Sequence, residues 1–91
     1  MSFELLFTEP YLKKAHKFFR KHPLLLGQYE KVLALLELNP FHNSLRLHKL
    51  KGALQSLYSV SINMQYRVTL ELWIQEDQIL LVDIGDHDQV Y

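Results

Sequence analysis

Tyr58-Ser59-Val60-Ser61-Ile62-Asn63-Met64, with Tyr66-Arg67-Val68-Thr69-Leu70-Glu71-Leu72-Trp73-Ile74 behind it, is the stretch that decides the fold of this 91-residue chain. In the first run Tyr58, Val60, Ile62 and Met64 alternate with Ser59, Ser61 and Asn63. In the second, Tyr66, Val68, Leu70, Leu72 and Ile74 alternate with Arg67, Thr69, Glu71 and Trp73. A period of two belongs to a strand with one buried face, because successive side chains leave a strand on opposite sides. The spacing therefore predicts two strands and puts Arg67, Glu71 and Trp73 together on an exposed face. Gln75-Glu76-Asp77-Gln78 is a polar turn, and the nearly continuous apolar run Ile79 to Ile84 fits a central strand covered on both sides. Three such strands in succession make a meander.

Upstream, Phe3 to Phe7 is a short strand-compatible run, and Thr8-Glu9-Pro10 reads as the start of a helix, with Thr8 as its cap and Pro10 in its first turn. From Tyr11 to Lys21, Leu12, Ala15, Phe18 and Phe19 share one helical face, while Lys13, Lys14, Lys17, Arg20 and Lys21 occupy the rest. His22-Pro23 interrupts, since a residue before proline disfavours helical backbone. A second helix follows with Tyr29, Val32, Leu33 and Leu36 as its buried stripe, and Asn39-Pro40 ends it. The two apolar stripes need a cover, and the sheet is the partner at hand. The expected architecture is α+β: an N-terminal strand, a helical hairpin packed on an antiparallel sheet, and a three-strand meander, in one domain spanning residues 1–91.

Between helices and meander lies Leu45-Arg46-Leu47-His48-Lys49-Leu50-Lys51-Gly52. Its leucines can anchor it to a core while Arg46, His48, Lys49 and Lys51 project where a phosphate can meet them. Gly52 to Gln55 reads as a turn.

Ten Lys and Arg balance ten Asp and Glu, with five histidines, so the formal net charge is +0 and global charge predicts no nucleic-acid binding. The distribution is uneven: cations crowd the first quarter, and Glu71, Glu76, Asp77, Asp83, Asp86 and Asp88 the last. Cysteine is absent, which excludes a disulfide framework and any cysteine-based metal site or nucleophile. Met1 to Phe7, with Glu4 inside it, does not read as a secretory signal, and no apolar run approaches membrane-spanning length. A soluble cytoplasmic protein is the expectation.

The order strand, two helices, meander, together with His48-Lys49-Leu50-Lys51-Gly52, Tyr58 to Asn63, Tyr66-Arg67-Val68 and the ending Asp83-Ile84-Gly85-Asp86-His87-Asp88-Gln89-Val90-Tyr91, resembles the RelE/ParE superfamily of bacterial type II toxins, most of all its YafQ and HigB branches. The resemblance covers nearly the whole chain. It implies an endoribonuclease that cleaves messenger RNA on the ribosome without a metal or other cofactor, and a cognate antitoxin as partner. Such cleavage needs a base for the 2′-hydroxyl, an acid for the leaving oxygen and positive charge on the phosphate. The resemblance implies His48 as base, His87 as acid, Arg67 as phosphate clamp and Tyr91 as the terminal aromatic, with Arg46, Lys49 and Lys51 as supporting charge. Which histidine plays which part stays open. The chain departs from the YafQ pattern at Ile62 and Gln65, where that branch has a histidine and an aspartate, and its neutrality is unlike the basic family RNases.

Other readings stand beside these. His48 also fits an ordinary surface or hydrogen-bonded residue, Arg67 a cross-strand partner of Glu71, His87 a turn histidine with solvated neighbours, and Asp86-His87-Asp88 a metal site. The cations of the first helix fit a solvated face, a ribosomal-RNA contact or an antitoxin dock, and Trp73 an antitoxin anchor or a residue covered by the helices. His16, His22 and His42 read as surface residues. A ParE-like gyrase inhibitor or an inactive antitoxin-binding relic is the alternative function, favoured by the neutral charge.

Overall fold

The computed structural model describes residues 2–51 and 57–86. Strand β1, Glu4–Phe7, runs directly into helix α1, Glu9–Lys21, and the junction is the one the sequence predicts. The Thr8 side chain accepts from the Tyr11 N–H at 3.2 Å, and Pro10 sits in the first turn, where its missing N–H costs nothing. Glu9 at the start and Arg20 and Lys21 at the end complement the helix dipole. His22 ends α1, a single 3₁₀ turn spans Pro23–Leu25, and helix α2 covers Leu26–Leu38 up to its cap at Asn39.

The two helices are tied by one buried polar contact. Tyr11 and Tyr29, 1% and 8% exposed, place their hydroxyls 2.7 Å apart. This pair also shows why Tyr11 takes the core position expected for Leu12, which is 51% exposed: the larger ring buries more area and its hydroxyl finds a partner. Ala15 completes the buried stripe, with Phe18 and Phe19 partly covered. On α2, Tyr29, Val32 and Leu36 are buried and Leu33 is partly covered.

Five strands form one sheet among the described residues: β1, then β2 (His48–Lys49), β3 (Tyr58–Ser61), β4 (Tyr66–Trp73) and β5 (Gln78–Asp86), in the spatial order β1-β5-β4-β3-β2. The meander is present, and β2 is an addition to it. The sheet is mixed rather than antiparallel, because β1 lies parallel to β5, with Leu5 opposite Ile79 and Phe7 opposite Leu81. After β1 the chain crosses over through the helices to the far edge and works back by antiparallel steps, which return β5 in the direction of β1.

The apolar run of β5 has a different cause from the one expected. Val82 is 36% exposed, so the strand is not covered on both sides. A register irregularity between Thr69 and Leu70 pairs Leu70 with Leu81 and Thr69 with Asp83, making Val82 an extra residue. Such a bulge resets the alternation. Ile79 and Leu81 are spaced by two, Ile84 by three, and all three are buried in the same core with Val60, Ile62, Val68, Leu70 and the helix stripes. No described helix is long and apolar enough to cross a membrane.

The tyrosine pair gives two measurable expectations. Tyr29→Phe leaves the Tyr11 hydroxyl buried without its partner and lowers stability in urea unfolding by about 1–3 kcal/mol, whereas adding Tyr11→Phe recovers part of that loss. Burial raises both phenol pKa values above the ordinary value of 10.0, and Tyr29 and Asp83 raise Tyr11 further. The unfolded chain therefore ionises first as pH rises. The stabilisation is complete below the unfolded-state value, about 10, and is lost as pH climbs above it, so wild type weakens in alkali and the double Phe variant weakens less.

Candidate functional site

Neighbours in a strand face opposite ways, and Tyr66 packs its ring on Phe18 of α1 with centroids 5.0 Å apart, so Arg67 points to the sheet face away from the helices. The expectation of an exposed Arg67 fails there: the residue is 8% exposed. Its burial is made tolerable by serines of β3. Ser61 lies opposite Arg67 and Ser59 opposite Thr69, so both hydroxyls stand beneath the guanidinium. Nε donates to Ser59 Oγ at 2.9 Å and Nη1 to Ser61 Oγ at 3.0 Å. Nη2 donates to the Arg46 carbonyl at 3.0 Å and meets His48 Nδ1 at 3.1 Å. A buried cation is costly unless its donors are satisfied, and a rigid fork with five N–H groups suits this set of acceptors. Glu71, considered as a partner of Arg67, instead accepts from Trp73 Nε1 at 3.0 Å.

The segment opposite is anchored as its leucines suggest. Leu45 and Leu50 are buried and Leu47 half-buried, while Arg46, His48, Lys49 and Lys51 are exposed. A 3₁₀ turn over Asn43–Leu45 ends at Arg46 in the left-handed region, φ 51 and ψ 47. That conformation is uncommon for a residue with a Cβ, and here it accompanies a carbonyl delivered to Arg67. The Arg46 guanidinium itself lies 3.8 Å from Met64 Sδ. β2 then sets His48 opposite Ser59 and Lys49 opposite Tyr58, so His48, Ser59 and Thr69 form one row across three strands.

A guanidinium only donates, so the nitrogen it meets must accept. Nδ1 of a neutral His48 is then the bare nitrogen and the ring proton sits on Nε2. The contact disfavours a proton on Nδ1. His48 in this state offers an Nε2–H donor; taking up a proton at Nε2 requires the ring proton to move to Nδ1 and the Arg67 bond to break.

The structure thus brings His48, Arg67 and the backbone of Arg46 together; Lys49 follows His48 in β2 and leaves the strand on the opposite side, and Lys51 is exposed. His87 and Tyr91 lie outside the described residues, as do the turn at Gly52 to Gln55 and all of Asp86-His87-Asp88 except Asp86. Among the described residues no three His, Asp or Glu side chains gather around a metal position. Ser59 and Ser61 escaped the reading of the sequence, although their signal was there: they occupy the polar phase of the same alternation that places Arg67. Thr69 escaped as well, and its buried hydroxyl has no hydrogen-bond partner among the described residues. Two other histidines settle differently. His16 is exposed, whereas His22 is half-buried against Phe18 and Tyr66, with ring centroids 4.6 and 4.8 Å away, and is no simple surface residue. His42 caps the turn before Arg46, its Nδ1 accepting from the Ser44 N–H at 3.2 Å. The cations of α1 are exposed, and Lys14 pairs with Asp83 at 2.5 Å.

No family model and no curated protein matches the sequence. Solved structures do match the fold. Escherichia coli YafQ superimposes with a TM-score of 0.79 at 12% identity, covering 98% of both chains. YafQ in the E. coli DinJ-YafQ toxin-antitoxin complex gives 0.78 at 14% identity over 100% of this chain and 99% of that one. A YoeB/ParE toxin from Agrobacterium tumefaciens gives 0.72 at 15% identity over 92% and 98%. At such identities the agreement is one of backbone. The two helices on a five-stranded mixed sheet are the fold of the YafQ and YoeB/ParE toxins.

Proposed function

We propose that this protein is the toxin of a type II toxin-antitoxin pair, a ribosome-dependent endoribonuclease neutralised by a cognate antitoxin. The observation that carries the proposal is the Arg67–His48 contact: an always-charged guanidinium, fixed by four hydrogen bonds, 3.1 Å from an imidazole in an exposed segment. Fixed charge beside a titratable group, prearranged at low reorganisation cost, is what a phosphate gathering negative charge requires. The matching toxin fold supports the same reading, and the DinJ-YafQ complex supports an antitoxin as partner.

In the proposed reaction a 2′-hydroxyl attacks the adjacent phosphate and the 5′-oxygen leaves, giving a 2′,3′-cyclic phosphate or its hydrolysed product. Arg67 supplies positive charge to the phosphate and holds the His48 ring. The Nε2–H of His48 suits donation to a phosphate oxygen. His87 then carries proton transfer, or His48 shares it after the change of tautomer described above. Arg46, Lys49 and Lys51 draw in the strand, and Tyr91 stacks on a base.

A non-enzymatic binder, such as a ParE-like gyrase inhibitor, is favoured by one observation. The Arg67 donors already serve protein acceptors, which is how a purely structural buried arginine is held. Two measurements decide. Wild type, His48→Ala and Arg67→Ala are induced in bacteria while messenger-RNA ends and gyrase-linked DNA breaks are mapped. We expect cleavage in wild type and about a hundredfold loss in either variant, the scale of removing an acid-base group or a charge donor. Growth arrest with intact messages, or equal cleavage in all three, would sink the nuclease. Long-range ¹⁵N spectra at a pH where His48 is neutral should show the proton on Nε2, with Arg67→Met mixing the two tautomers. A dominant Nδ1–H in wild type refutes the geometry. Finally, Arg46→Gly keeps the carbonyl and suits the left-handed backbone. It isolates the side chain: lost cleavage with unchanged stability assigns the Arg46 guanidinium to RNA, and full activity removes it.

A further inference from the structure

The helix side of the sheet holds a second cleft, of about 340 Å³, between α1 and the facing ends of β4 and β5. Its apolar wall consists of three half-buried rings, Phe18, His22 and Tyr66, in mutual contact. Centroids lie 4.6 Å apart for Phe18 and His22, 4.8 Å for His22 and Tyr66, and 5.0 Å for Phe18 and Tyr66. Lys17 and Lys21 line the same cleft one helical turn apart, and neither forms an ion pair among the described residues. Lys14 also lines it but is held by Asp83, and Asp86 contributes one carboxylate.

A wall of rings beside a row of ammonium groups matches one ligand chemistry in both parts. A flat heteroaromatic base stacks on rings whatever its identity, and a phosphate within a few ångströms of the base meets the lysines. The volume is that of a small-ligand cleft, at the lower end of the usual range of about 300–1,000 Å³. An inorganic anion would use the lysines and leave the rings idle, and an apolar side chain would use the rings and leave the lysines idle. Arg67 and His48 lie on the other side of the sheet, because Tyr66 and Arg67 are neighbours in β4 that face opposite ways. We infer that the Phe18–His22–Tyr66 cleft, with Lys17 and Lys21, binds one nucleotide unit by stacking its base and pairing its phosphate, at a site separate from the Arg67–His48 face. The site stands independently of the nuclease reading, and its test reads binding rather than cleavage.

The experiment is a chemical-shift titration of the full-length, isotope-labelled protein with adenosine monophosphate, with an all-deoxy five-nucleotide single strand that lacks the attacking 2′-hydroxyl, and with inorganic phosphate. The expected result is saturable shifts at Lys17, Phe18, His22 and Tyr66 with either nucleotide probe. Saturation by the monophosphate at the same concentration as the strand identifies a free nucleotide as the ligand; saturation only by the strand identifies one unit of a polynucleotide. Lys17→Glu/Lys21→Glu, two surface changes on the exposed side of α1, should weaken binding about tenfold or more and lower the salt slope by about 1 per lysine. Tyr66→Leu, which keeps bulk in the wall, should weaken the nucleotides and leave phosphate unchanged. Shifts confined to the His48 and Arg67 surroundings, no saturable shifts, or phosphate binding as tightly as the nucleotides would each overturn the proposal. If Tyr66→Leu is poorly folded, the lysine pair decides alone: unchanged nucleotide affinity in the double Glu variant refutes the site.

Discussion

The ladder between β4 and β5 joins Tyr66–Trp73 to Gln78–Asp86 through a tight 3₁₀ connection, and each functional feature takes its direction from the register of that ladder. With Val68 opposite Ile84 and Leu70 opposite Leu81, the apolar phase of β4 must face the helices, and Arg67 is committed to the other side. A slip of one residue would turn Arg67 into the core and Tyr66 away from α1. The Val82 bulge lets the ladder keep this register while β5 feeds Ile79, Leu81 and Ile84 into one core.

The commitment of Arg67 has a chain of dependents. A guanidinium on a covered face needs acceptors, and β3 supplies Ser59 and Ser61 from its polar phase. Two more acceptors come from the opposite segment, which reaches only because Arg46 adopts a left-handed backbone after the Asn43–Leu45 turn. His48 is held in turn by what it accepts from Arg67. The leucines of that segment therefore do more than fill the core: Leu45 and Leu50 fix the height at which Arg46 and His48 face the sheet.

Local pattern made the strands of the meander, the cap at Thr8, the break at His22-Pro23 and the stop at Asn39-Pro40 legible in the sequence, because each rests on periodicity or on backbone chemistry within a few residues. What depends on distant partners was not legible. The choice of Tyr11 over Leu12 is made by Tyr29, the parallel placement of β1 by β5, and the burial of Arg67 by serines several residues away on another strand. His22 read as a surface residue because its ring partners sit in α1 and in β4. The neutral sum of charge hid the separation that matters here, between a lysine-lined cleft on one side of the sheet and a single enclosed arginine on the other.

The parallel pairing of β1 with β5 carries a consequence for synthesis. Glu4 and Gln78, whose side chains also join at 2.9 Å, are 74 residues apart, and Ile79, Leu81 and Ile84 complete the core that α1 and α2 require. As the chain emerges from its N-terminus, both helices are made long before their cover exists, and no nascent chain ending short of β5 can bury those stripes. Contacts at such separation carry the loop-closure cost before any reward arrives. Folding is thereby tied to the synthesis of β5, so the working surfaces on both sides of the sheet come into being together.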